Sequence, residues 1–300
     1  MRKNIIIAAA GALVALAAVL NTFSCVAMSK KEVGLQLYSI RELIGDADKF
    51  AKNGAQVMAQ LAEMGYTHVE TANYSDGKIY GLAPADFRAV VEKAGLKTLS
   101  THTTHFISDE EKASGNFAES LKWWKQCIAD HKAAGMSYIV APSMPIPGTL
   151  KELKVWCDYY NQVGKLCAES GMKFGYHNHS GEFQKIEDKV MLDFMLENTD
   201  ARYVFFQLDV YWAVIGKVSP VEYFKRYPGR FTLLHIKDHK EIGQSGMVGF
   251  DAIFRNYKTS GMKNFVVELE RTDGTIDIME GVKRSANYLR KSKFVKPSYK

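Results

Sequence analysis

Cysteine is scarce in this chain, with four among 300 residues. Three of them, Cys127, Cys157 and Cys167, follow the first 30 residues, lack CxxC spacing and are odd in number. That pattern gives no disulfide framework, and each is expected in the core. Charge of one sign is not concentrated either. The 39 Lys and Arg are scattered among 33 Asp and Glu, for a net charge of +6, or +4 once Arg2 and Lys3 are set aside. Such a surface is a solvated face and excludes a nucleic-acid groove. No GxGxxG follows the first strand-like run, no linker or low-complexity stretch divides the chain, and no second long apolar run follows the N-terminal one. These absences argue against an open dinucleotide-binding sheet, against several domains and against a second membrane segment.

What is present begins with a leader. Met1-Arg2-Lys3 is a positive start, Ile5 to Leu20 is uncharged and apolar, and Asn21 to Ala27 follows. This is the layout of a secretory signal peptide over residues 1–27, and the run is short for a membrane span of roughly 20 apolar residues. Export to the periplasm is expected. Cleavage near Ala27, or a lipid-modified Cys25 as the first residue of an anchored protein, both fit the sequence.

Over residues 32–295 one unit recurs: a short apolar run, a turn, then an amphipathic segment. Strands are expected near 33–40, 66–71, 97–102, 138–142, 173–179, 203–209, 231–237 and 265–270. Helices are expected near 47–64, 84–94, 117–134, 150–170, 189–197, 220–227, 250–260 and 276–290. Phe50, Val57, Met58, Leu61 and Met64 fall at helical spacing, Pro84 suits a first helical turn, and Gly65, Gly171 and Gly261 suit helix ends. Eight such units with short connections predict a single α/β domain, a closed (β/α)8 TIM barrel, for which about 250 residues is normal.

Three runs stand out: 205–209, 231–239 and 265–270. Side chains alternate across a strand, so Leu208, Leu234, Ile236, Val267 and Leu269 share one face. Asp209, His235, Lys237 and Glu268 share the other. The same parity turns inward Gln36 and Tyr38, His68 and Glu70, Ser100 and His102, His177 and His179, Gln207, and Glu270. In a barrel the site lies at the carboxyl ends of the strands. So many ionisable groups on one rim would repel or lose charge unless a cation organised them. One Asp, one His and one or two Glu from different strands make an oxygen-rich site with one nitrogen, acceptable to Mn²⁺, Mg²⁺, Co²⁺ or Zn²⁺.

Gly34-Leu35-Gln36-Leu37-Tyr38-Ser39, Tyr176-His177-Asn178-His179-Ser180-Gly181-Glu182-Phe183, Leu208-Asp209, His235-Ile236-Lys237-Asp238 and Val267-Glu268 resemble the xylose isomerase-like barrels described as sugar phosphate isomerases/epimerases. The resemblance runs in the same order from about residue 33 to 290. It implies a divalent metal held by a fifth-strand carboxylate, Asp209, His235 and Glu268. Ketose epimerases of that family have a Glu where this chain has His177, which leaves Glu182 as the expected fourth ligand and His177 as the alternative. Glu268, His177, Lys237 and Glu182 are the expected catalytic groups. Gln36, Tyr38, Glu70, His102, His179, Trp212 and Lys237 are expected to contact a small carbohydrate, and a homo-oligomer is compatible with the chain.

The chemistry these groups suit is proton removal beside a sugar carbonyl, with a metal polarising the carbonyl and a Glu or His moving the proton. Epimerisation, isomerisation, β-elimination and hydration share that intermediate. Export argues for unphosphorylated substrates. The leading expectation is an isomerase or epimerase of an unphosphorylated sugar or keto-sugar. A keto-glycoside lyase or hydratase is the alternative, and an exported sugar-binding barrel without chemistry is the alternative of another class. Related barrels that cleave DNA at abasic sites use more His and Asp ligands for several zinc ions and a basic groove, which this chain lacks.

Overall fold

Eight short runs rich in β-branched and aromatic residues form parallel strands that close on themselves, as the computed structural model of residues 31–299 describes. The strands are β1 (Gly34–Gln36), β2 (His68–Thr71), β3 (Lys97–His102), β4 (Tyr138–Ala141), β5 (Lys173–His177), β6 (Val204–Asp209), β7 (Leu233–Lys237) and β8 (Asn264–Glu268). Each pairs with its neighbour in sequence, and β1 pairs with β8 to close the (β/α)8 barrel. The expected signal peptide at 1–27 and Cys25 lie outside the described residues. Among the described residues no helix is long and apolar enough to cross a membrane, and Cys127, Cys157 and Cys167 are buried free thiols.

Local chemistry sets the helix limits. Asp46 caps Ala47–Met64 by accepting from the Lys49 amide, and Gly65 ends it at φ 97°, a conformation that costs glycine little. Thr149 and Asp277 cap Leu150–Glu169 and Ile278–Lys291 in the same way, satisfying amides that have no partner inside the helix. The aliphatic strand face, including Leu208, Leu234, Ile236 and Val267, packs in the main core with the helices. Inside the barrel, Tyr138, Val140, Phe205 and Leu233 form a second apolar cluster. Gly175 makes room for it, since a Cβ there would come within 2.5 Å of the Phe205 ring.

Several boundaries differ from the sequence expectation. β1 stops at Gln36 because the Gln36 side chain accepts from the Tyr38 amide and starts a 3-10 turn, Leu37–Ile40. β5 and β8 stop at His177 and Glu268, so His179 and Glu270 stand on loops beyond the sheet. The segment expected as one helix at 250–260 is two, Phe250–Arg255 and Tyr257–Ser260. Lys189–Val190 pairs with Lys185–Ile186 as a hairpin before the helix Met191–Asn198. The short helices Arg41–Ile44, Asp109–Ser114 and Val210–Ile215 were not expected. Val210–Ile215 begins directly at Asp209, and Asp109–Ser114 is set by a capping box of Ser108 and Glu111.

Gly164, inside Leu150–Glu169, lets that helix approach the Tyr203 carbonyl; a Cβ at this position would sit 2.5 Å from the oxygen. Gly164→Ala gains up to about 1 kcal/mol of helix propensity but forces apart backbone that cannot yield, at about 1–3 kcal/mol. Denaturant unfolding is therefore expected to show a net destabilisation of roughly 1–2 kcal/mol. Unchanged or increased stability would show that the helix can shift freely.

Candidate functional site

Register carries the polar strand ends to one place. Gln36 pairs with Glu70, Glu70 with Ser100, Asp209 with His235, and Lys237 with Glu268. The centre of this layer is the Glu70 carboxylate, which is fully buried. It accepts hydrogen bonds from Gln36 Nε2 at 2.8 Å, Ser100 Oγ at 2.6 Å, Gln207 Nε2 at 2.8 Å and His235 Nε2 at 2.6 Å. Burial alone would raise its pKa, but His102, His235 and the Ser100 hydroxyl outweigh burial and bring it down to about 2. Glu70 is therefore a buried anion that fixes its neighbours.

Holding Nε2 of His235 turns Nδ1 toward the mouth. There Nδ1 lies 3.7 Å from Asp209 Oδ2 and 3.6 Å from Glu268 Oε2, and all three residues are buried. Asp209 Oδ1 caps the helix Val210–Ile215 by accepting from the Trp212 amide at 2.9 Å, while Asn178 accepts from the Asp209 amide at 3.0 Å. That leaves Asp209 Oδ2 and His235 Nδ1 buried without a hydrogen-bond partner. Buried polar atoms are normally paired, and two unpartnered ligand atoms beside a carboxylate, all within 4.8 Å of one another, fit a divalent cation. The electrostatics agree. Burial works against charge on His235, yet Glu70, Asp209 and Glu268 raise its pKa well above normal, so the spot attracts positive charge. Burial also raises the Asp209 carboxyl, whereas for Glu268 burial is outweighed by His235 and Lys237 and the pKa falls.

Lys237 is buried, with Nζ 3.2 Å from Glu268 Oε2 and 3.1 Å from Glu270 Oε1. Burial opposes its charge, but Glu268, Asp209 and Glu270 prevail and raise its pKa. Across from this pair stand imidazoles. His102 is stacked on His235 with ring centroids 4.9 Å apart, and His177 lies 4.5 Å from His235. His102, His177 and His235 form a second group able to hold an ion. Burial, followed by the positive charge of its neighbours, keeps the His177 pKa well below normal, and its Nδ1 has no partner. Tyr38, Ala72, His102, Pro142, His177, His179, Glu268 and Glu270 line a cavity of about 270 Å³ at this mouth.

Asp209, His235 and Glu268 thus meet as expected from strand parity, and Tyr38, His102, His177 and His179 reach the cavity. Four other expected site residues bond elsewhere or lie outside the cavity lining. Glu182 is not in the metal group: its oxygens accept from Tyr176 Oη and the His179 amide, both at 2.8 Å, so it shapes the His179 loop. Gln36 is fully buried and spends its amide on Glu70 and the Tyr38 backbone. Glu70 supports His235 beneath the cavity floor. Lys237 is not among the residues lining the cavity and clamps the two glutamates. Trp212 stands beside these groups, its ring 5.8 Å from His179 and 5.7 Å from the Lys237 ammonium. Sequence reasoning missed Asn178, whose only signal is its place between two rim histidines.

The sequence profile of the xylose isomerase-like TIM barrel family matches residues 58–292. A sugar phosphate isomerase/epimerase from Parabacteroides distasonis ATCC 8503, known from a crystal structure, is 35% identical and superposes with a TM-score of 0.82, covering 90% of this chain and 97% of that one. An inosose dehydratase of Geobacillus kaustophilus (strain HTA426) is 26% identical over 199 residues, 61% of each chain, so the match spans less than two thirds of that enzyme. An inosose dehydratase of Erwinia tasmaniensis is 23% identical over 305 residues, 88% of this chain and 98% of the enzyme. These relatives are carbohydrate-modifying enzymes.

The hydrogen bond that orients a metal-binding imidazole typically carries 10–100-fold in affinity. Glu70→Gln is therefore expected to weaken Mn²⁺ or Zn²⁺ binding by about 10–100-fold in calorimetric titration. It should also lower stability by about 1–3 kcal/mol, because one amide cannot accept from both Gln36 and Gln207 as two carboxylate oxygens do. Unchanged metal affinity in a folded variant would remove Glu70 from this role.

Proposed function

The chain belongs to the xylose isomerase-like TIM barrel family, and from that premise we propose a divalent-metal-dependent enzyme acting on an unphosphorylated sugar or keto-sugar. It removes the proton beside the carbonyl and expels a hydroxyl from the next carbon. The observation that carries this reading is a cation-fitting group, Asp209, His235 and Glu268, beside a neutral imidazole, His177, on the cavity wall. Those three residues would hold the ion, which when bound supplies positive charge to the carbonyl oxygen as the neighbouring carbon loses its proton.

The chain's own groups do the rest. Glu70 fixes the His235 tautomer, with Nε2–H donated and Nδ1 free. Lys237 holds Glu268 and Glu270 in place and offsets their charge. His177 is suited to act as base because burial keeps it neutral. It takes the proton from carbon and, as imidazolium, returns it to the departing hydroxyl, so that water is the second product. One group acting on one side completes an elimination. Epimerisation needs a second group on the other face, and ketose epimerases of the family have a Glu where this chain has His177.

Substrate charge is constrained as well. The residues lining the cavity include two carboxylates and neither Lys nor Arg, which disfavours a phosphate, a group normally bound by such cations. Export, expected from residues 1–27, points the same way. A second reading, isomerase or epimerase of the same substrates, is supported by the 35% identity to the Parabacteroides protein. Glu270, also on the cavity wall, would then return the proton.

Proton NMR in D₂O of the protein loaded with Mn²⁺ or Zn²⁺ and given a keto-inositol, ketohexoses and 3-keto-glucose separates the readings. Solvent deuterium beside the carbonyl together with a dehydrated product is expected, and His177→Ala should slow turnover by about 10²–10⁴-fold. Exchange with an epimer or isomer and no dehydration would favour the second reading. No exchange with any of them would overturn both.

A further inference from the structure

Parallel strands all start at one end of the barrel, opposite the mouth. The fold gathers there lysines that are scattered along the sequence. Lys31 lies just before β1 and Lys263 just before β8, while Lys258 sits on the helix Tyr257–Ser260 that leads to Lys263. Lys291 ends the last helix, and Lys293 and Lys296 follow it. Hydrogen bonds tie these three segments to one another. Lys31 Nζ donates to the Ser292 carbonyl at 2.6 Å, the Glu32 amide to the Pro297 carbonyl at 2.9 Å, and Lys296 Nζ to the Tyr257 hydroxyl at 2.8 Å. All six lysines but the half-buried Lys31 are exposed.

Little acid answers this charge. In residues 31–33, 257–264 and 291–299 the one acidic side chain is Glu32. The Tyr257 hydroxyl registers the resulting field, its pKa lowered by the Lys296 hydrogen bond and by Lys258 and Lys263 nearby. Lysine presents a mobile point charge with no fixed fork, unlike the arginines that read a folded anion by paired geometry. A loose array of lysines therefore suits anions that are themselves free to move, the headgroups of a bilayer. The chain also enters the barrel at this end. Cys25 stands six residues before Lys31, so a lipid on that cysteine would hold the lysine face within about 20 Å of a bilayer. Attraction to anionic headgroups acts over about 10 Å at about 0.1 M salt, a distance that so short a tether lets the face cross.

From this face we infer that the protein docks on an anionic phospholipid surface through its lysine end, with the mouth turned to solvent. Trace acylation of the full chain by a membrane-impermeant lysine reagent, read by mass spectrometry, tests the orientation directly. Vesicles of phosphatidylcholine with about 30 mol% phosphatidylglycerol should slow modification of Lys263, Lys293 and Lys296 by about fivefold or more. Lys49, beside Tyr38 at the mouth, should react as before. Salt at about 0.5 M should abolish the protection. Lys258→Gln, Lys263→Gln, Lys291→Gln and Lys293→Gln combined, checked for folding by circular dichroism, should leave Lys296 protected by less than about twofold. No protection, equal protection by phosphatidylcholine alone, equal protection of Lys49, or protection that survives salt or the four substitutions overturns the inference. Equal protection by duplex DNA overturns it too, since the face would then take any polyanion.

Discussion

The contact on which this site depends is the hydrogen bond between the Glu70 carboxylate and His235 Nε2, at 2.6 Å in the centre of the barrel. A carboxylate taken fully out of water is costly unless its lone pairs are used, and four donors use those of Glu70. The network occupies a level of the interior that barrels commonly fill with bulky aliphatic side chains. In exchange it fixes which nitrogen of His235 faces the mouth. With Nε2–H donated to Glu70 below, Nδ1 is left unpartnered beside Asp209 and Glu268, and a place for positive charge is built without a flexible side chain.

The rim is balanced around that place. Three acidic ends, Asp209, Glu268 and Glu270, are answered by one buried ammonium, Lys237, and by whatever charge resides at His235 Nδ1. Each acid is also restrained from a second direction, Asp209 by the Trp212 and Asn178 contacts and the two glutamates by Lys237. The imidazoles of His102 and His177 stand where burial keeps them uncharged. Fixed anions on one side and neutral bases on the other suit reactions in which a proton leaves carbon while negative charge grows on oxygen.

The family hosts several outcomes of that one step, and the groups beyond the shared core select among them. An imidazole can lend and return one proton from one side. Two carboxylates on opposite faces can exchange protons across a plane. This chain has the cation-fitting group, with the His177 imidazole beside it on the cavity wall. Loops beyond the strands, carrying Tyr38, His179 and Glu270, then decide the size and polarity of what enters.

Much of this was legible in the residues. Period-two alternation in 205–209, 231–239 and 265–270 put Asp209, His235 and Glu268 on one face, because a strand allows its side chains only two directions. Eight repeated units implied closure, because an open sheet of that length would leave edges. Less legible were the roles of polar residues on the same parity. Glu70, Gln36, Lys237 and Glu182 share the composition of a substrate site but spend their atoms on other side chains or on backbone. Alternation gives a direction, not a depth along the barrel axis, and depth follows from the stagger between strands. The sequence by itself determined the barrel and the identity of its three converging ligand candidates. Only the tertiary structure decided which polar groups face the cavity and which support it from below, since that choice turns on hydrogen bonds between residues as far apart in the chain as Glu70 and His235.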